Sequence, residues 1–160
     1  MNLRVEPATP DLFVERAAWR YPPPYDFYND DGVPPKNPER FFSVCTDDGS
    51  LVGFYYFEER GDAVAYGLGL RPDLSGRGLG ARFVEAGIEF AQARFGRRRM
   101  VLDVAEFNAR AIRVYERAGF RRTGTRTRFF EGWGDVPFVD MERPMNGPDS
   151  GARAASPEHE

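Results

Sequence analysis

The spacing of apolar and polar positions along the chain predicts a series of short strands. Each strand-like run is either continuously apolar or alternates between apolar and polar residues. These runs are Leu3–Val5, Phe41–Thr46, Leu51–Phe57, Ala63–Leu70, Met100–Ala105, Phe120–Phe130 and Val136–Pro144. Turn residues at Asp47–Ser50 and Gly61–Asp62 join three consecutive runs, and a Gly-Trp-Gly turn at Gly132–Gly134 joins the last two. The sequence therefore predicts antiparallel pairing for most neighbouring strands.

Apolar positions with the helical period, together with capping residues, predict three helices. The first runs from Pro10 to about Trp19, and the second covers about Gly80–Phe95 with one apolar face toward the sheet. Asn108 caps the third helix, and Gly119 stops it. The element order, β-α-loop-β-β-β-α-β-α-β-β, indicates an α+β fold in which helices flank a mixed sheet.

The segment Tyr21–Pro38 lies between the first helix and the second strand and follows neither period. It is dense in prolines, which stiffen the backbone, and in aromatic side chains, which are too apolar for a solvated linker. We expect it to form a lid or wall over a binding cleft, with simple packing on the core as the alternative. Tyr25, Phe27 and Tyr28 are its candidate contacts to a substrate.

The most informative stretch is Leu68–Phe83, LGLRPDLSGRGLGARF, in which a strand, a tight loop and a helix start follow one another. Gly76, Gly78 and Gly80 leave room for backbone N–H groups to converge on a ligand, and the helix start adds its positive dipole end. The natural ligand of such a loop is a phosphate or pyrophosphate, and a tight connection without a ligand is the alternative. The spacing fits neither a P-loop nor the dinucleotide fingerprint.

Composition limits the classes of protein to be considered. A chain of 160 residues that is 41% hydrophobic suits one domain with a full core. The formal net charge of −3 gives no sign of a nucleic-acid partner. The sequence lacks both an apolar run of about 18 residues and the apolar core of a signal peptide, so we expect no membrane partner and a cytoplasmic location.

The single histidine, His159, lies in the segment 146–160, whose composition predicts a disordered tail. Nucleophile triads and histidine metal sites need an imidazole inside the folded domain, so both are disfavoured. Carboxylates, tyrosines, backbone amides or a cofactor must therefore carry any chemistry.

Two motifs resemble the GNAT superfamily of N-acetyltransferases. Ser75–Gly80, SGRGLG, is similar to its acyl-CoA pyrophosphate loop, although Ser75 departs from the Arg or Gln that usually opens the pattern. Val101–Phe120, VLDVAEFNARAIRVYERAGF, carries the family's Asn, Ala-Ile, Tyr and closing Ala-Gly-Phe in the expected order. The resemblance covers about 52–144 and implies one acyl-CoA N-acyltransferase domain, residues 1–145. Its fold would be a mixed, mostly antiparallel sheet with splayed central strands.

Members similar to this chain, such as the ribosomal-protein N-terminal acetyltransferases, imply direct transfer of acetyl from acetyl-CoA to a primary amine in a ternary complex. Tyr115 falls where that family has the tyrosine that protonates the departing CoA thiolate, and Asp103 falls where those enzymes have a general-base Glu. Glu58, Glu59, Glu106 and a water relay are alternatives to Asp103. A core tyrosine with a satisfied hydroxyl is the alternative for Tyr115.

The resemblance also implies which residues hold the cosubstrate. These are Leu68, Leu70, Arg71, Ser75, Gly76, Arg77, Gly78, Leu79, Gly80 and Asn108. Asn108 serves also as a helix cap, and a backbone N–H near Leu68–Leu70 would stabilise the oxyanion. No metal is implied. The acceptor, a small-molecule amine or a protein N-terminus, and a homodimer are left open, and a silent acyl-CoA sensor is the alternative function, with a nucleotide-binding protein as a third.

Overall fold

The computed structural model describes residues 2–147, and these contain seven strands and three α-helices. In chain order the elements are β1 (Arg4–Pro7), α1 (Pro10–Ala17), β2 (Phe41–Cys45), β3 (Leu51–Arg60), β4 (Ala63–Leu70), α2 (Gly80–Phe95), β5 (Arg99–Ala105), α3 (Ala109–Arg117), β6 (Arg121–Phe130) and β7 (Gly134–Arg143). The strands form one sheet in the order β1-β2-β3-β4-β5-β7-β6. All neighbouring pairs are antiparallel except β4 and β5, so the predicted α+β fold with a mixed sheet is confirmed.

Several predicted bounds differ from those observed, by one to three residues at an end. Helix α1 ends at Ala17, two residues before the predicted end at Trp19. Strand β3 continues three residues past Phe57 to Arg60, because the ladder with β4 runs on to the hairpin turn, where Arg60 pairs with Ala63. The predicted tail at 146–160 lies outside the described residues from position 148 onward, and the domain boundary at 145 stays a prediction.

The only parallel pair of the sheet is also its least complete pair. Ala63–Ala65 of β4 pair with Arg99–Val101 of β5, and no pairing continues beyond them. Both strands run on for four or five residues, so they diverge toward their carboxyl ends. This divergence is the predicted splay of the central strands, and it opens a gap in the middle of the sheet.

Helix α2 is fastened to the central strands by two buried tyrosines. The Tyr55 hydroxyl of β3 donates to the Phe83 carbonyl at 2.5 Å, and the Tyr66 hydroxyl of β4 donates to the Val84 carbonyl at 3.0 Å. Such short links are possible because Gly87 has no side chain between the helix and these rings. The first turns of α2, and the glycine loop before them, are therefore held close to the diverging ends of the strands.

The segment between α1 and β2 contains a short 3-10 helix, Tyr25–Tyr28, and lines a cavity together with residues of β4 and β5. An ion pair between Arg16 and Asp30, 3.0 Å long, fastens it to α1, and both side chains are more than four-fifths buried. The segment therefore forms a wall next to the gap. Within residues 2–147 no helix is long and apolar enough to cross a membrane.

Candidate active site

A cleft made of two adjoining cavities begins at the gap between β4 and β5. The larger cavity, about 420 Å³, lies against the wall formed by the segment after α1. The smaller cavity, about 330 Å³, lies against the glycine loop and the start of α2. Seven residues line both cavities and come from β4, from the glycine loop, and from α3 and its cap: Leu68, Leu70, Ser75, Asn108, Arg110, Ala111 and Tyr115. One ligand could therefore extend from the loop into the gap while a second enters past the wall.

The glycine loop has the geometry of an anion cradle. Gly76 has φ +74° and Gly78 has φ +81°, a left-handed conformation that favours glycine. The backbone N–H groups of Gly76, Arg77, Gly78 and Leu79 have no acceptor within the part of the chain that is described. Helix α2 begins immediately afterwards, at Gly80. Unpaired N–H groups at a helix start fit a phosphate, and the residues present are therefore suited to the pyrophosphate of CoA.

The exposed edge of β4 offers backbone groups to an extended ligand. The Arg71 N–H donates to the Val52 carbonyl at 2.8 Å, and hydrogen bonding alternates along an antiparallel pair. Leu68 and Leu70 therefore direct their backbone groups away from β3 and into the gap. The Leu70 carbonyl accepts a 2.6 Å hydrogen bond from the Tyr21 hydroxyl, whereas the backbone groups of Leu68 face the gap. An amide-containing arm can pair with such an edge as an added strand does.

Three of the residues predicted to contact the cosubstrate line neither cavity. Arg71 uses its N–H for Val52, and its guanidinium donates to the Leu51 carbonyl at 2.8 Å and to Asp73 at 2.6 Å. The Arg77 side chain is exposed and donates to the Asp73 carbonyl, and the Leu79 side chain is half-buried. The contacts predicted for these three residues stay predictions.

Tyr115 lies where the two cavities meet, and its ring packs against Phe120 with 6.0 Å between ring centroids. Its hydroxyl has no hydrogen-bond partner among residues 2–147. The alternative prediction, a core tyrosine whose hydroxyl is hydrogen-bonded, therefore does not match the structure. Burial raises the pKa of the Tyr115 phenol well above its ordinary value, with smaller contributions from Tyr28 and Asp103. The phenol is therefore protonated at neutral pH and can donate a proton.

Asp103 lines the larger cavity from β5 and is held by two arginines of the edge strand β6. Its Oδ2 accepts from Arg126 at 3.2 Å and from Arg128 at 3.0 Å. Its Oδ1 has no partner within the described residues and can accept a further proton or hydrogen bond. The side chain is 28% exposed, so the carboxylate is open to solvent as well as to the cavity that it lines.

The alternative bases lie elsewhere. Glu58 is paired with Arg40 at 3.0 Å, Glu59 is paired with Arg98 at 2.9 Å, and Glu106 is exposed. None of the three glutamates lines either cavity.

Of the three aromatic residues predicted to contact a substrate, two line the larger cavity. These are Tyr25 and Tyr28, whereas Phe27 lines neither cavity and packs against a buried apolar cluster. The Phe27 ring packs edge-on against the rings of Phe130 and Trp133, with 4.8 Å and 5.4 Å between ring centroids. Phe27 therefore anchors the segment to the sheet, which places it away from the site of its predicted contact.

Asn108 has the predicted capping role and a second contact. Its Oδ1 accepts from the Ala111 N–H at 3.2 Å, and its Nδ2 donates to the Tyr28 hydroxyl at 3.2 Å. The start of α3 is therefore joined directly to the wall, and the cap residue lines both cavities.

The structure adds three residues that were not predicted from the sequence. Tyr21 bonds to the end of β4, Asp30 contributes a second carboxylate to the larger cavity, and Arg110 lines both cavities. Arg110 follows the cap residue by two positions, which is the one signal in the sequence that could have indicated it. Within residues 2–147 no three His, Cys, Asp or Glu side chains come together as a metal site requires.

The splayed sheet, the glycine loop and the cleft between them are the features expected of an acyl-CoA-binding acyltransferase fold. The sequence matches the Acetyltransferase (GNAT) family over residues 7–120, and the chain belongs to that family. This confirms the family predicted from Ser75–Gly80 and Val101–Phe120.

Curated relatives match only part of the chain. A mycothiol acetyltransferase of Clavibacter michiganensis subsp. michiganensis is 43% identical over 75 residues, which cover 46% of this chain and 24% of that protein. An uncharacterized N-acetyltransferase of Methanocaldococcus jannaschii is 37% identical over 93 residues, which cover 53% of this chain and 41% of that protein. The matched region is therefore less than half of each of these relatives.

Solved structures share the fold across nearly the whole chain. A spermidine N-acetyltransferase chimera from Vibrio cholerae and hSSAT has a TM-score of 0.76 at 14% identity, covering 91% of this chain and 97% of that one. The ribosomal-protein-S18-alanine N-acetyltransferase of Escherichia coli has a TM-score of 0.62 at 21% identity, covering 90% and 94%. At such identities the likeness shows the fold alone.

Proposed function

We propose that the protein transfers the acetyl group of acetyl-CoA to a primary amine by direct attack in a ternary complex. One observation carries this proposal: the glycine loop, the open edge of β4, Tyr115 and Asp103 all border one cleft. When bound, acetyl-CoA supplies an activated acetyl thioester. Two ligands can then meet in the gap, because the cleft has one end at the loop and another at the wall.

Each part of the cleft has a distinct role in this proposal. The loop N–H groups bind the pyrophosphate, and the edge of β4 at Leu68 and Leu70 aligns the pantetheine arm and offers an N–H to the developing oxyanion. Asp103 Oδ1 accepts a proton from the acceptor amine, directly or through water. Tyr115 donates its phenolic proton to the sulfur that leaves, and a phenol can do so because it is a weak acid whose conjugate base lies near the thiolate in proton affinity.

A silent acyl-CoA-binding sensor is the second candidate, because two features depart from the catalytic pattern. Ser75 stands where the family usually has a long polar side chain, and Asp103 is both shorter than Glu and held by Arg126 and Arg128. A sensor would bind acetyl-CoA without turning it over.

The first test is the thermal midpoint of the purified protein with acetyl-CoA, CoA, ATP and NAD in parallel. A ligand at a hundredfold excess over its dissociation constant stabilises the folded state by about 2.7 kcal/mol, which shifts the midpoint visibly. We expect the two CoA species alone to give this shift. Release of free thiol with a panel of amines then separates an enzyme from a sensor. The absence of any shift with acetyl-CoA or CoA would contradict the proposal.

The amine panel should include acceptors of different charge and size. Spermidine and a peptide with an N-terminal alanine belong in it, because solved structures with this fold are named for those acceptors. An aromatic amine also belongs in it, because Tyr25 and Tyr28 line the larger cavity.

Asp103→Asn is expected to lower kcat/KM about tenfold at pH 7, a smaller loss than is usual for a general base, because solvent can also take the proton at a partly exposed site. The deficit should shrink as the pH rises, since more of the free amine is then already deprotonated. The matched control is Asp140→Asn. Asp140 lies directly opposite on β7 and pairs with Arg126 at 3.2 Å, but it lines neither cavity. Equal losses of kcat/KM in both variants would show that Asp103 acts by positioning Arg126 and Arg128 and not as the base.

A further inference from the structure

Arg110 occupies the junction of the two cavities and reaches the glycine loop. It lies in the first turn of α3, its side chain is exposed to the cleft, and it is one of the few side chains that line both cavities. A Cβ placed on Gly76 would lie 2.8 Å from Arg110 Nη1, so the guanidinium is packed against the backbone of the loop. Residues 34 positions apart along the chain are thus brought into contact at the proposed phosphate cradle.

The loop has no cation of its own directed into this cradle. The Arg71 guanidinium is occupied by Asp73 and by the Leu51 carbonyl. Arg77 Nη1 donates to the Asp73 carbonyl at 3.4 Å, and Arg77 lines neither cavity. Ser75 does line the cleft, but its side chain is short and uncharged. The loop therefore offers a pyrophosphate only the partial charges of its backbone N–H groups.

Arg110, by contrast, is held in place without being neutralised. No carboxylate within residues 2–147 forms an ion pair with it. Its guanidinium stacks over the Tyr25 ring, with Cζ 4.7 Å from the ring centroid. A stacking contact of this kind orients the flat guanidinium and leaves its N–H donors available at the edge.

We infer that Arg110 is the side chain that binds the pyrophosphate of the cosubstrate, supplying from α3 the positive charge that the loop lacks at Ser75. This inference rests on the proposed function, because it requires the cleft to bind CoA. A guanidinium can donate two parallel hydrogen bonds to phosphate oxygens, and such charge-assisted pairs are among the stronger hydrogen bonds in proteins. The backbone N–H groups of the loop and the Arg110 guanidinium would then donate hydrogen bonds to the pyrophosphate from two sides.

The test is the dissociation constant of CoA, measured by calorimetry, for the wild-type protein and for Arg110 variants. Arg110→Ala is expected to weaken binding at least about tenfold, the usual effect of removing a hydrogen bond to a charged group. Arg110→Lys should recover part of that loss, because it keeps the charge, whereas Arg110→Met should bind as weakly as the Ala variant. Arg113→Ala is the matched control, since Arg113 is an exposed arginine of the same helix that lines neither cavity.

The position of the contact is tested with dephospho-CoA, which lacks the 3′-phosphate but keeps the pyrophosphate. We expect Arg110→Ala to weaken CoA and dephospho-CoA by the same factor. A loss confined to CoA would place Arg110 at the 3′-phosphate and overturn the inference. So would an unchanged dissociation constant, or full recovery by Arg110→Met, because the contact would then be one of packing.

The same titrations separate this inference from the proposed function. A wild-type protein that does not bind CoA overturns both. A wild-type protein that binds CoA, together with an Ala variant of equal affinity, overturns the role of Arg110 alone. Unchanged thermal midpoints of the ligand-free variants would show that a loss of affinity arises from the binding site and not from unfolding.

Discussion

Replacing Tyr115 with Phe is expected to lower kcat about a hundredfold, the low end of the usual contribution of a general acid, and to leave the dissociation constant of acetyl-CoA within about twofold. The variant removes one oxygen from a ring that stays packed against Phe120. The missing hydroxyl makes no hydrogen bond in residues 2–147, so its loss costs the fold little. Turnover by thiol release and affinity by calorimetry would be measured on the same preparation.

Two further tyrosine variants make this result specific. Tyr56→Phe is the control, because Tyr56 lies on β3, lines neither cavity, and donates to Glu58 at 3.1 Å. Tyr28→Phe tests a second tyrosine of the larger cavity, whose hydroxyl accepts from Asn108, and it is expected to change acceptor binding more than turnover. If Tyr115→Phe turned over normally while Tyr28→Phe did not, the proton donor would be Tyr28.

The pH dependence of the rate gives an independent check on Tyr115. Burial raises the pKa of this phenol above its ordinary value, so the protonated form that donates persists to higher pH than an exposed tyrosine would allow. Ionisation of Tyr115 should therefore cause no decline in kcat between about pH 7 and pH 10. A decline near pH 8 that disappears in Tyr115→Phe would show that the donor ionises far more readily than its burial permits.

Gly87→Ala is expected to destabilise the protein by about 2 kcal/mol, because overpacking of a buried contact outweighs what alanine gains in helix propensity. The new Cβ would overlap the Tyr66 hydroxyl and lie 2.7 Å from Tyr66 Cζ and 2.9 Å from Tyr55 Cε1. Neither ring can retreat freely, since both hydroxyls are bonded to carbonyls of α2. The thermal midpoint should fall by about 4–8 °C.

Gly124→Ala is the matched control for this substitution. Gly124 lies on the exposed strand β6, has no atom within 4 Å of its Cβ position, and has no positive φ. Alanine there should leave the midpoint unchanged or raise it slightly, because it restricts the unfolded chain. Equal behaviour of the two variants would mean that α2 can move away from the sheet at little cost.

Local signals in the sequence were sufficient for the strands, the helices and the positions of the main motifs. The cap at Asn108 and the glycines of Ser75–Gly80 act within a few residues of chain, so their structure follows from types and spacing. Family resemblance was needed to select Tyr115 and Asp103 from among residues of the same type. Their catalytic roles are predictions that the variants above would test.

Contacts between distant segments could not be read from the sequence. The approach of Arg110 to Gly76, the bond from Tyr21 to Leu70 and the pairing of Asp103 with Arg126 depend on how strands and helices come together. Phe27 and its neighbours Tyr25 and Tyr28 look alike as aromatic residues of one loop. Only the tertiary packing of Phe27 on Phe130 and Trp133 decides which of them faces the cleft.

The hydrogen bonds from the Tyr55 and Tyr66 hydroxyls to α2 make the two sides of the cleft differ in how well they tolerate substitutions. The donor side is joined to the central strands through buried bonds, so substitutions there would alter stability and donor binding together. The opposite wall is a surface segment joined to the rest at a few points, chiefly Tyr21, Phe27 and Asp30, the last of which pairs with Arg16 of α1. Exchanging the residues between those points is therefore the route by which this scaffold could acquire a new acceptor while keeping its donor.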